Sequence, residues 1–139
     1  MSITFIKRSF FQRLLGIPET GNPEIDGCWE YADGKLIVDL GKAAELKTPG
    51  GAIKLEGKSL PKRVLVVFGE DGNYRAYHNR CSHMGRRLDP VPGTETVQCC
   101  SINKSTYDIE GKYIYGPKHQ PIMSFPVEKD QDKLIISVS

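Results

Sequence analysis

The stretch that decides the fold is Cys81-Ser82-His83-Met84-Gly85, which is matched further along the chain by Cys99-Cys100. The first part places a thiol and an imidazole two positions apart, in a segment whose glycine favours a turn. Cys100 follows on a second loop, between two segments with strand character. Soft and borderline ligands on two facing loops make a clamp for iron or zinc. The sequence therefore predicts a metal site between residues 78 and 122.

Composition limits the class of protein around this site. A length of 139 residues fits one domain, and 39% hydrophobic and 26% charged residues are typical of a globular chain. The net charge of +2 is too small to indicate nucleic acid binding. We find no secretion signal and no stretch long enough to span a membrane, so we expect a cytoplasmic protein. In that compartment its four cysteines are metal ligands or buried thiols rather than disulfides.

Strand signals surround the two loops on both sides. Asp33-Gly34 and Glu110-Gly111 each separate two short β-prone runs, which is typical of hairpins. Fourteen glycines and nine prolines favour many turns and short elements. One helical turn is expected within residues 41–47. The pattern as a whole predicts a mostly β fold, an antiparallel sandwich or barrel of eight or nine strands.

The N-terminal segment, residues 1–26, has a different pattern. Ile6, Phe10 and Leu14 recur at helical spacing, which predicts a short amphipathic helix over residues 5–15 followed by a linker. The helix has three interpretations: packing on the domain's own core, docking to a partner, or peripheral contact with an anionic membrane surface. The cations available for such a contact are Lys7, Arg8 and Arg13.

The motif string resembles the Rieske family, in which Cys-x-His is followed by Cys-x-x-His, an aromatic-Asp pair, a glycine turn and a Gly-Pro loop. The matching residues here are Cys81-Ser82-His83, Cys100, Tyr107-Asp108, Glu110-Gly111 and Gly116-Pro117. The resemblance covers residues 27–139 and implies an antiparallel β domain of the Rieske type. It also implies a [2Fe-2S] cluster with two Cys on one iron and two His on the other.

The fourth ligand position departs from this pattern. Asn103 stands where the family has its second His, and Lys104 stands where it has Gly. A carboxamide oxygen is a weak donor to iron compared with imidazole. Four outcomes stay open: Asn103 or a water completes a weakened cluster, Cys99 supplies a third thiolate, His119 (or, more distantly, His78) replaces the missing ligand, or no cluster binds.

Residues after the second loop bear on the redox properties. The resemblance implies that Ser105 and Tyr107 donate hydrogen bonds to a bridging sulfide and to a ligating Cys sulfur, which raises the reduction potential. It also places Pro117 in a loop over the cluster. Cys99 is expected to point away from the metal, because adjacent side chains of a strand face opposite sides. Arg86 and Ile102 stand at the two positions where some family members have a disulfide.

The resemblance implies a non-catalytic oxidoreductase component, a ferredoxin-like protein that passes single electrons between a reductase and an oxidase or oxygenase. The chain is too short to include the catalytic domain of a Rieske oxygenase. Arg86, Arg87 and Lys104 would then form a positive rim for an acidic partner. The alternative is a cluster-free or zinc-bound binding module with the same fold.

Overall fold

Short antiparallel strands form nearly all of the regular structure. The computed structural model describes residues 20–82, 85–91, 93–100 and 104–138. The strands are β1 (Trp29–Ala32), β2 (Lys35–Asp39), β3 (Ala52–Leu55), β4 (Val64–Phe68), β5 (Tyr74–His78), β6 (Leu88–Pro90), β7 (Thr96–Cys99), β8 (Thr106–Asp108), β9 (Tyr113–Tyr115), β10 (Ser124–Phe125), β11 (Val127–Asp130) and β12 (Lys133–Ser137). Two 3-10 turns, Asp26–Cys28 and Ala44–Leu46, complete the described elements.

The strands form three four-stranded sheets. The hairpin sheet has the order β1-β2-β12-β11, the middle sheet has the order β10-β5-β4-β3, and the loop sheet has the order β6-β7-β8-β9. All paired strands run antiparallel. The predicted mostly β, antiparallel class is therefore confirmed.

Turn chemistry explains why the first hairpin forms where the sequence predicts it. Asp33 and Gly34 both have positive φ, at 52° and 78°. A two-residue turn of this kind matches the right-handed twist of the flanking strands. The register that follows puts Trp29 opposite Val38, and both side chains are buried. The hairpin thus delivers its apolar face to the core.

Two separate clusters of apolar side chains fill the interior. The main core lies between the hairpin and middle sheets and includes Cys28, Leu36, Val38, Ile53, Leu55, Val64, Val66, Leu134 and Ile136. The loop core lies between the middle and loop sheets and includes Leu65, Tyr77, Cys81, Leu88, Val97, Cys99, Tyr107 and Ile122. Strand β4 contributes alternate residues to the two clusters, because its side chains alternate between the faces of the middle sheet.

The remaining sequence predictions have mixed outcomes. The helical turn expected within residues 41–47 is the 3-10 turn Ala44–Leu46, whereas strand β6 was not predicted. The predicted N-terminal helix lies outside the described residues. Within the described ranges, no helix combines the length and the apolar character that crossing a membrane requires.

Candidate metal centre

The first cysteine loop begins where β5 ends. Cys81 follows that strand by three positions and is only 2% exposed. Its backbone N–H donates to the carbonyl of Arg86 at 2.8 Å, and the N–H of Gly85 donates back to the Cys81 carbonyl at 3.2 Å. These bonds close a tight loop, with Gly85 in the left-handed region at a φ of 67°. The loop holds the Cys81 thiol inside the protein.

The second cysteine loop is fixed to the same short segment. Cys100 directly follows β7, is 1% exposed, and donates its backbone N–H to the carbonyl of Arg87 at 3.0 Å. Cys81 and Cys100 are therefore attached to the consecutive carbonyls of Arg86 and Arg87. The structure brings the two predicted thiol ligands to one segment, although their loops are separated in sequence.

An ion pair anchors this segment to the middle sheet. The guanidinium of Arg87 donates two hydrogen bonds of 2.7 Å to the carboxylate of Glu56, just after β3. Those bonds lower the pKa of Glu56 below its ordinary value, more than burial raises it. The pKa of Arg87 is raised mainly by the same hydrogen bonds, and least by charge at Cys100. The guanidinium of Arg87 is therefore paired with the carboxylate of Glu56.

Asn79 is a structural residue of this centre that sequence reasoning missed. Its side chain is fully buried, and its Oδ1 accepts the backbone N–H of Leu88 at 2.7 Å. This bond ties the start of the first loop to its end. The guanidinium of Arg63 adds a second brace, since it donates to the carbonyl of Asn79 at 2.9 Å and to that of Gly85 at 2.7 Å. A lone Asn before a Cys gives only a turn signal in the sequence.

Tyr107 links the loop sheet to the first cysteine loop. Its side chain is fully buried, and its hydroxyl oxygen accepts the backbone N–H of Ser82 at 3.0 Å. The same hydroxyl shares a 2.7 Å hydrogen bond with the Oγ of Ser82. Burial raises the pKa of Tyr107, and charge at Cys81 and Cys99 raises it further against the lowering hydrogen bonds from Ser82. The hydroxyl stays protonated at neutral pH and lies beside Cys81.

Ser105 provides the test of whether this centre fits an inorganic cluster. The residue is 1% exposed, and within the described residues its Oγ has no hydrogen-bond partner. A buried hydroxyl without a partner is costly unless some other group accepts its hydrogen bond. Gly116 packs so closely that a Cβ there would lie 2.6 Å from this Oγ. The Gly116-Pro117 loop therefore covers Ser105, and the donor set fits a sulfide acceptor.

The proposed substitutes for the fourth ligand occupy different places. Cys99 is 1% exposed within the loop core, and its N–H donates to the carbonyl of Ser105 at 2.7 Å. The exposed ring of His119 stacks on Tyr113 with centroids 4.4 Å apart. His78 is half-buried at the end of β5. Among the described side chains, no three Cys, His, Asp or Glu groups meet in a metal-binding cluster. The predicted ligands His83 and Asn103 lie outside the described residues.

Lys104 carries backbone strain at the end of the second loop. Its φ of 52° lies in the left-handed region, which favours glycine. The Oγ1 of Thr106 donates to the Lys104 carbonyl at 2.8 Å and accepts from the Nε2 of Gln98 at 3.1 Å. This buried pair holds the loop end in place. The conformation that suits a glycine is therefore kept even though lysine occupies the position.

A β domain with two buried cysteines on neighbouring loops, and with buried hydroxyls nearby, has the features of a small iron–sulfur domain. The family model described as Rieske [2Fe-2S] domain matches residues 37–126 of this chain. The chain belongs to that family, and the family binds a [2Fe-2S] cluster. The resemblance inferred from the motif string is confirmed.

Relatives by sequence include parts of larger proteins. The oxygenase subunit of glycine betaine monooxygenase from Pseudomonas aeruginosa is 30% identical over 77 residues, which is 55% of this chain and 18% of that protein. The iron–sulfur subunit of the cytochrome b6-f complex from Chlorobaculum tepidum is 23% identical over 105 residues, 76% of this chain and 56% of that subunit. The chain thus spans under a fifth of the first protein and just over half of the second.

Solved structures share the fold. The ferredoxin of carbazole 1,9a-dioxygenase from Nocardioides aromaticivorans superposes with a TM-score of 0.56 at 21% identity, covering 66% of this chain and 88% of that one. The cyanobacterial plasma membrane Rieske protein from Synechocystis gives a TM-score of 0.54 at 20% identity, covering 67% of this chain and 91% of that one. At these identities the similarity shows the fold alone.

Proposed function

We propose that this chain is an electron-transfer component that holds its [2Fe-2S] cluster between the Cys81 and Cys100 loops. A bound cluster would accept and release one electron at a time. We assign the cluster to a domain of residues 27–139, preceded by the segment of residues 1–26. The chain itself catalyses no further chemistry in this proposal, and its partners are a reductase and an oxidase or oxygenase.

The observation that carries the proposal is the unpartnered Oγ of Ser105. Within the described residues it is a buried donor next to the second cysteine loop. Tyr107 adds another hydroxyl, next to the first cysteine loop. Hydrogen bonds to cluster sulfur stabilise the more negative reduced state and so raise the potential. The family resemblance assigns this role to Ser105 and Tyr107, and their burial near the cysteine loops supports it.

The ligand set follows from the loops. Thiolates of Cys81 and Cys100 would hold one iron, and the imidazole of His83 would bind the other. The fourth position falls on Asn103, with water, Cys99 or His119 as the substitutes. Cys99 is the last residue of β7, where adjacent side chains face opposite sides, and this favours Asn103 or a water over a third thiolate.

The test is to purify the protein anaerobically and to count its iron and acid-labile sulfide. We expect two of each per chain and a paramagnetic resonance signal that appears only after reduction. A protein with full iron and sulfide that shows no signal on reduction would contradict one-electron chemistry. Zinc in place of iron would contradict the cluster assignment.

A second function is favoured by one specific observation. Lys104 keeps the left-handed conformation of a family glycine but places a charge there, next to the weak ligand position 103. This combination suits a cluster-free or zinc-bound binding module. A colourless protein without iron or labile sulfide, yet fully folded by circular dichroism, would support it.

Substitution at the fourth position separates the two functions. We expect Asn103→His to raise the retention of iron during aerobic dialysis, because imidazole is a stronger donor than a carboxamide. Asn103→Gln is the matched control, since it keeps the amide and changes only its reach. If both variants keep the same amount of iron as the natural chain, residue 103 is not at the fourth position.

A further inference from the structure

A surface groove opens beside Cys81 and leads to the first cysteine loop. One wall is the chain from His78 to Ser82, and the other is the segment from Lys118 to Met123. The N–H of His78 donates to the carbonyl of Met123 at 2.8 Å, so the two walls are joined at one end. Cys81 and Ser82 lie at the inner side of this groove, which makes it the surface next to the proposed cluster.

The groove is positively charged. Arg80 and Lys118 are exposed on opposite walls, and no Asp or Glu is among the described residues that line it. The pKa of His78 is lowered, first by burial and then by the nearby charges of Lys62, Arg63 and Arg80. The positive charge of the groove itself comes from Arg80 and Lys118.

The groove also has an apolar contact point. Met123 is 50% exposed, and it is one of three large apolar side chains with such exposure among the described residues. Pro121 lies next to it on the same wall. An exposed thioether in a groove that also carries two cations is typical of a protein-docking surface, where apolar contacts are combined with a polar rim.

The charged rim predicted from the sequence differs from this surface. Arg87 was expected to face a partner, but it is paired with Glu56 in a bidentate bridge. Arg80 and Lys118 are far apart in sequence but line the same groove in the fold. The groove therefore adds two exposed cations to the surface next to the first cysteine loop.

We propose that the groove between His78–Ser82 and Lys118–Met123 is the docking surface for an acidic redox partner protein, whose carboxylates pair with Arg80 and Lys118 while an apolar side chain contacts Met123. This inference rests on the proposed electron transfer, because the partner's own redox centre must approach the chain here. Electrostatic attraction between such surfaces raises the rate of encounter.

The experiment measures electron transfer to two small oxidants of opposite charge. The dithionite-reduced protein gives one electron to ferricyanide, which becomes ferrocyanide, or to tris(phenanthroline)cobalt(III), which becomes the cobalt(II) complex. We expect the double variant Arg80→Gln, Lys118→Gln to slow the ferricyanide reaction about threefold and to speed the cobalt reaction at low ionic strength. The ratio of the two rates should approach that of the natural chain near 1 M salt, where charges are screened.

A matched control has the same change in net charge at a distant place. Lys129→Gln, Lys133→Gln removes two cations from β11 and β12 of the hairpin sheet. We expect this control to leave the rate ratio nearly unchanged. If both double variants change the ratio equally, only net charge matters and the groove is not the docking surface.

A binding measurement keeps the two proposals distinguishable. Fluorescein-labelled hexaglutamate, titrated at low salt and followed by anisotropy, should bind the groove variant several-fold more weakly than the Lys129, Lys133 control. If the groove variant binds hexaglutamate more weakly and the natural chain holds no iron, electron transfer is overturned and the surface for an acidic partner is retained. Equal binding by the two variants would overturn the surface, whatever the redox behaviour.

Discussion

The two interiors of this domain are built differently. The main core, between the hairpin and middle sheets, consists of apolar side chains that alternate along the strands. The described residues contain five buried polar side chains, and all of them lie in or next to the loop sheet: Asn79, Asp89, Gln98, Ser105 and Thr106. Burying polar groups is costly unless they are satisfied. The difference separates the part that stabilises the fold from the part that is shaped for a ligand.

Most of the polar groups in the loop region serve its backbone. Asn79 holds Leu88, and the pair Gln98 and Thr106 holds the end of the second loop. Two donors are the exceptions, because within the described residues neither the Oγ of Ser105 nor the Nδ2 of Asn79 has a hydrogen-bond partner. The loop region thus uses most of its buried polar groups to hold its backbone and keeps the Oγ of Ser105, next to the second cysteine loop, as a donor for a bound group.

The largest expected effect is the loss of the cluster by removing a thiolate. Cys81→Ser or Cys100→Ser should abolish bound iron and sulfide, because a serine hydroxyl stays protonated where a thiol ionises. The main core is untouched, so the far-ultraviolet circular dichroism of a folded β protein should persist. Full iron and sulfide in either variant would refute the ligand assignment.

Cys28→Ser is the matched control for that loss. Cys28 is as buried as the other two, at 1% exposed, but it lies in the main core. Burial also raises the pKa of its thiol, more than the nearby charges change it, so it stays a neutral apolar group. We expect lower stability with unchanged iron content, the reverse of the Cys81→Ser result.

The next effect in size is the loss of stability by truncation in the main core. Leu134 is fully buried and pairs across from Val38. Leu134→Ala should lower the free energy of unfolding by about 2–5 kcal/mol, measured by urea denaturation. The absorbance per chain of any bound cluster should not change. A shifted cluster spectrum would show that the two interiors are coupled.

The main core was largely predictable because its signals are local. Asp33-Gly34 specifies a turn, and the alternation in Lys35–Asp39 specifies which face is buried. Strand β6 was missed for the opposite reason, since Leu88-Asp89-Pro90 contains two residues that are rare in strands. It forms because β7 pairs with it and because the buried Asn79 holds Leu88, both of which are tertiary contacts.

The site was predictable at the level of residue types and less so in its surroundings. The motif names Cys81, Cys100, Ser105 and Tyr107, and all four residues lie in the loop region of the structure. It could not assign Arg87 to Glu56, because that pairing depends on where β3 ends in space. The groove that Arg80 and Lys118 line could not be predicted either, because it also depends on how distant segments lie in space.

A smaller effect is expected when the unpartnered donor is removed. Ser105→Ala should lower the midpoint potential of the bound cluster by about 40 mV, the one-electron equivalent of about 1 kcal/mol for a lost hydrogen bond. The cluster-free protein should gain slightly in stability, because an unsatisfied buried hydroxyl is removed. Protein-film voltammetry measures the lowered potential of the protein with its cluster, and urea denaturation measures the raised stability of the cluster-free protein. Finding both effects would show that the Ser105 hydroxyl is there for the bound group and not for the fold. An unchanged potential would mean that Ser105 does not face the cluster.

Tyr107→Phe should lower the potential by a similar amount but should also lower stability in the cluster-free state. The phenylalanine keeps the ring in the loop core, whereas the N–H of Ser82 loses its acceptor. That loss costs about 1 kcal/mol. Equal stability of the variant and the natural chain would show that the hydroxyl does not brace the first loop.

The smallest effect concerns the ion pair that anchors the segment of Arg86 and Arg87. Hydrogen bonds from Arg87 hold the folded-state pKa of Glu56 below its ordinary 4.5. The pair therefore stabilises the fold above pH 4.5, and its contribution disappears as the pH falls through the lower folded value. Both side chains are about a quarter to a third exposed, so Glu56→Gln should cost at most about 1 kcal/mol at pH 7.

The pH dependence separates this anchor from a general surface effect. The difference in unfolding free energy between the natural chain and Glu56→Gln should shrink as the pH is lowered from 6 towards 3, measured by urea denaturation at each pH. Glu110→Gln is the control, because the bridge from Glu110 to Lys112 is largely exposed and should contribute almost nothing at any pH.

Because the carbonyl of Arg87 also accepts the backbone N–H of Cys100, iron should leave Glu56→Gln faster than Glu110→Gln during dialysis against a chelator. Equal loss from the two variants would mean that the anchor stabilises the sheet without positioning the second cysteine.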